Sequence, residues 1–127
     1  MTDVEFIGQF ENGTLPPEAF HHRDHVKAAW LYLHRYPVHE ALQRFCDSLK
    51  NFAAVHGKAN LYHETITWAY FLLIRERMKR LGSQNWEAFA AANPDLFDWT
   101  NNILKTYYRE ETLRSDIARQ VFVLPDR

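Results

Sequence analysis

Three histidines fall within five positions of the stretch AFHHRDHVKAAW, Ala19 to Trp30, and an apolar run starts directly behind them. Another, His63, lies within LYHETITW. A neutral imidazole offers one lone pair, which can hold a divalent cation at about 2.0–2.1 Å or accept a proton. His22 and His25, three residues apart, would occupy neighbouring rungs of one helix face. A third imidazole from His63 would complete three protein ligands and leave positions open for water or substrate, the arrangement of a catalytic metal centre. Glu64 would then be a fourth ligand, a group that orients a ligand, or the general base. Tyr62 and Thr67 bring hydroxyls to the same stretch. Tyr107 and Arg119 bring a phenol and a guanidinium able to grip a carboxylate or phosphate.

For this to hold, the histidines must point inward, and the helical pattern tests that. With a rotation of about 100° per residue and His22 at zero, Val26 falls near 40°, Leu33 near 20°, Ala29 near 340° and Trp30 near 80°. His22 thus lies within the apolar stripe and His25, at about 300°, flanks it. Arg23, Asp24, Lys27 and Arg35 take the opposite half. On the helix after His63, Tyr70, Ile74, Met78 and Leu81 line up with that residue, Phe71 lies beside them, and the first half is apolar almost all round.

Punctuation sets the elements. Asn12 to Phe20, with its turn residues and two prolines, reads as a loop holding at most one helical turn. A helix starts at His21 or His22, with Asp24 reaching back to cap it, and stops at Arg35 before Pro37. The next runs from Val38 to Val55 with Gly57 beyond it. A third begins between Asn60 and His63 and reaches Leu81. A short one runs from an N-cap at Ser83 to Ala92. Asn93-Pro94-Asp95 signals a fifth that continues to Tyr108. A last short helix starts at Ser115-Asp116, and the apolar tail VFVLPDR docks. The expected fold is all-α: a compact bundle of five to six helices forming a single domain over residues 1–127. Antiparallel neighbours joined by short loops would bring His22, His25 and His63 to one end.

Composition narrows the classes. At 127 residues with 46% hydrophobic side chains, the chain can bury a core without staples. Fifteen basic residues nearly balance 16 acidic ones, and no basic block marks a nucleic-acid surface. Cys46 is a lone cysteine, so no internal disulfide forms. The start MTDVEF lacks the pattern of a signal peptide, and no apolar run reaches membrane-spanning length. The expected compartment is the cytoplasm, and the expected partner a small molecule rather than nucleic acid or membrane. His34 and His39 fall at the far end. His56 continues the stripe of Ala41, Phe45, Leu49 and Phe52, although a histidine in a last turn often serves the helix dipole. Inward histidines also occur as ordinary caps and packing groups bonded to main chain or water.

Phe20, His22 and His25 ahead of an apolar helix, together with Tyr62-His63-Glu64-Thr65, resemble a group of small bacterial helical proteins. A late pattern is shared too: Tyr107, Tyr108, Glu111, Leu113, Ser115, Ala118, Arg119, Phe122, Pro125 and Asp126. The likeness spans nearly the whole chain but implies no activity. The expected function is a divalent-metal-dependent enzyme, hydrolytic or oxidative, using zinc, copper, nickel or iron; the alternative is a non-catalytic metal- or ligand-binding protein. In either case metal binding by imidazoles should fade below about pH 6.

Overall fold

A computed structural model describes all residues, Met1–Arg127. It is all-helical: eight α-helices and three short 3-10 turns, with no strand. The chain forms two compact units, Met1–Tyr62 and His63–Arg127. No helix is long and apolar enough to cross a membrane.

The first unit opens with α1, Asp3–Asn12, which lies outside the elements expected from the pattern. Its signal is local. The Glu5 amide donates to the Thr2 hydroxyl at 3.1 Å and the Thr2 amide to the Glu5 carboxylate at 3.2 Å, a reciprocal cap. Phe6 and Phe10, four residues apart, form its buried face. Gly13 ends it in the left-handed region, φ 78°, where a Cβ would also stand 3.0 Å from a Val55 methyl. The loop holds one 3-10 turn, Pro17–Ala19. Then come α2, His22–Arg35, and α3, Val38–Val55, separated by Pro37 as expected. A 3-10 turn at Ala59–Leu61 follows. Both α1 and α2 pack on α3.

Aromatic rings make the core of this unit. Phe10 is fully buried; Phe20 stacks on it at 4.8 Å, with Phe52 at 5.7 Å and Phe45 at 6.1 Å. Tyr32 meets its edge at 6.5 Å and donates its hydroxyl to Glu11 at 2.7 Å. Burial pushes the Tyr32 phenol up. The expected stripe on α2 holds at Val26, Ala29 and Trp30, and widens to take in Ala28 and Tyr32. Cys46, which the rotation places off the stripe of α3, is buried with Ala41, Phe45 and Phe52.

The second unit contains α4, Glu64–Leu81; α5, Trp86–Ala92; a 3-10 turn, Pro94–Phe97; and three short helices, α6 (Leu104–Tyr107), α7 (Glu110–Leu113) and α8 (Asp116–Gln120). Asn85, rather than Ser83, caps α5, accepting from the Ala88 amide at 2.8 Å. The long helix expected from Pro94 to Tyr108 is broken. Asn93 is drawn backward, donating to the Phe89 carbonyl and accepting from Arg77, each at 2.8 Å. Asp98 accepts from the Asn101 amide at 3.0 Å, an alternative to helical bonding that Asp and Asn side chains offer. Ser115 caps α8 as expected. Both α6 and α8 pack against α4, around Ala69, Tyr70, Leu104 and Tyr108.

Phe10→Ala should destabilise the first unit by about 3–5 kcal/mol, because it empties the centre of the ring cluster. Urea unfolding followed by circular dichroism reads the change; a loss below about 1 kcal/mol would mean that the cluster does not hold the unit together.

Candidate functional site

The histidine stretch starts where the loop turns into α2. His21 sits outside the helix with an extended backbone, and its amide donates to the Asp24 carboxylate at 2.9 Å, the backward cap expected from the spacing. Its own ring is largely in solvent. His22 and His25 are half-buried on the first turn. The His25 ring lies against Phe20, centroids 4.2 Å apart, and so rests on the aromatic core. Burial, with a smaller contribution from His22 beside it, pushes the His25 imidazole down to about 4. At neutral pH this ring is uncharged, with one lone pair and one N–H.

His63 is placed differently. It is the N-cap of α4, and its Nδ1 accepts the Ile66 amide at 3.1 Å. That fixes the tautomer: Nε2 carries the hydrogen and donates it to the Leu113 carbonyl at 2.7 Å. Both nitrogens are engaged, so His63 has no lone pair to give a cation without releasing one of these bonds. No group of three or more His, Cys, Asp or Glu side chains is placed to hold a metal ion.

The neighbours of His63 are also bound up in the fold. The Thr67 hydroxyl donates to the His63 carbonyl at 2.7 Å, a bond to the preceding turn. The Thr65 hydroxyl donates to the Val121 carbonyl at 2.9 Å and accepts the Val123 amide at 3.1 Å. Trp68 stacks on Phe122 at 5.3 Å. The docked tail is held further by the Tyr108 hydroxyl on the Val123 carbonyl at 2.7 Å. The Tyr107 carbonyl receives the Asp126 and Arg127 amides at 3.0 and 3.1 Å. The Asp126 carboxylate accepts from the Thr112 hydroxyl and from the Arg109 amide, bonds that hold its carboxyl below the usual range. Spacing alone cannot show this pairing, since the partners lie far apart in sequence. The tail motif and Tyr62-His63-Glu64-Thr65 therefore have a structural reading: His63 fastens α4 to the end of α7, and Thr65 fastens it to the tail.

Of the other candidates, Glu64 is half-buried at the first position of α4. Tyr62 belongs to the first unit, where the Lys50 ammonium lies 5.1 Å from its ring centroid. Tyr107 is at the margin of exposure and Arg119 is exposed on α8. His34 donates from Nδ1 to the Trp30 carbonyl at 2.9 Å on its own helix, and His39 is exposed. His56 donates from Nε2 to the Leu15 carbonyl at 3.0 Å, which pins the loop to the end of α3. His22 and His25 share the first turn of α2, with the His25 ring held against the aromatic core.

No protein-family model, curated protein or solved structure matches the chain.

The depressed His25 value has a linkage consequence. The unfolded chain takes up a proton near pH 6.5 and the folded one only near 4. Stability from the neutral ring is therefore complete above about pH 6.5 and is lost as pH falls towards 4, by at most about 3 kcal/mol. His25→Gln should flatten that acid limb. Urea midpoints at pH 7.5 and 4.5 measure it, and equal pH dependence in the two proteins would contradict the assignment.

Proposed function

We propose that the chain is a small helical metal-binding protein whose binding groups are His22 and His25 on the first turn of α2. The observation that carries this reading is the placement of His25: its ring rests against Phe20, centroids 4.2 Å apart, one turn from a second imidazole, where burial favours the neutral form. Neutral rings are the ligating form, and copper, nickel and zinc accept imidazole readily. A cation at a helix start meets the positive end of the helix dipole, but the Asp24 carboxylate in that turn offsets it. Two imidazoles leave most coordination positions to water or to a second molecule. That supports a second reading, a metal-dependent hydrolase or oxygenase acting on a small molecule.

The test uses protein without a polyhistidine tag, melted with added copper, nickel or zinc. Metal at a hundred times its dissociation constant should stabilise the protein by about 2.7 kcal/mol. His25→Gln should remove that increment and His34→Gln should keep it. No metal-induced shift, or a full shift in His25→Gln, would overturn the proposal. Turnover of ester or phosphoester substrates by the loaded protein, absent from His25→Gln, would favour the enzymatic reading.

A further inference from the structure

We propose that His63 is an acid-released clasp: its neutral ring joins the start of α4 to the end of α7, and protonation opens the joint. The ring bonds both sides of this junction. Nδ1 holds the Ile66 amide of α4 at 3.1 Å and Nε2–H holds the Leu113 carbonyl of α7 at 2.7 Å. Only one protonation state can do this. A proton on Nδ1 removes the lone pair and sets an N–H against the Ile66 N–H, so the cap is lost outright. The resulting imidazolium also stands at the positive end of an 18-residue helix, where a cation is disfavoured.

The surroundings do not hold the ring in place against this. His63 is buried, 9% exposed. Glu64, next to it on α4, is half-buried. On α7, Glu110 and Arg114 pair with each other at 2.7 Å in solvent, and Glu111 is exposed. Asp116 and Arg119 on α8 are exposed as well. Once the cap is gone, the bonds next to it on α4 are those from Thr65 to Val121 and Val123, and opening at His63 passes to the tail through them. The inference stands apart from the metal reading, since it concerns other residues and needs no ligand.

Amide hydrogen exchange of the intact chain tests it, with each rate expressed against its intrinsic rate at that pH. Protection of the Ile66 amide should fall about fivefold as pH is lowered from 7.5 to the acid limit of the folded state, the effect of losing one N-cap. The fall should persist in a His25→Gln background, which removes the imidazole resting on the core of the first unit. In His63→Asn the side-chain oxygen caps without titrating, and Ile66 protection should become independent of pH. Constant protection in the wild type, or an equal fall in His63→Asn, would overturn the proposal. If His63→Asn does not fold, the wild type decides by NMR: the Ile66 amide shift must titrate with the His63 ring, and separate midpoints would overturn it.

Discussion

A neutral imidazole has two nitrogens, and each can serve one partner at a time. In the second unit that limit governs the arrangement around α4. His63 gives one nitrogen to the helix it caps and the other to the Leu113 carbonyl, so the helix start and the chain around α7 are fixed by one ring. Thr65 repeats the logic with a hydroxyl that donates to Val121 and accepts from Val123. Side chains that looked reactive in the sequence are here answering main-chain groups, which must find partners when buried.

The first unit uses its histidines otherwise. His56 is engaged on the Leu15 carbonyl, but His25 lies against Phe20 and owes its character to the core behind it. The same Phe20 stacks on Phe10 and approaches Phe52, ring centroids 4.9 Å apart. Packing and chemistry are thus coupled at one residue: the cluster that holds α1 and α2 to α3 also desolvates the imidazole and keeps it uncharged.

How much of this could be read beforehand depends on the distance over which each feature is decided. Pro37 and Gly82 are local signals, and the bounds of α2, α3 and the end of α4 follow from them. The region from Pro94 to Tyr108 departs from the pattern because Asn93 and Asp98 have two local options, capping a helix or bonding elsewhere, and their partners decide. The inward face of α2 was legible from periodicity, which is why His22 and His25 remain the candidate site. His63 was legible as an inward group but not as an occupied one, because its carbonyl partner lies 50 positions away. Periodicity reports which way a side chain points and is silent on what it meets.

The same separation bears on how the second unit comes together. His63 finds Leu113 across 50 positions, and Thr65 finds Val121 and Val123 across 56 and 58. Closing so long a loop loses chain entropy before any of these bonds can form. By contrast α2 and α3, neighbours in sequence and in contact, associate after closing a short one. The fastening of α4 is therefore expected after the rate-limiting step of folding. Interactions made on that side of the barrier slow unfolding and leave the folding rate nearly untouched. The His63–Thr65 segment would then govern how long the unit stays folded, not how fast it arrives.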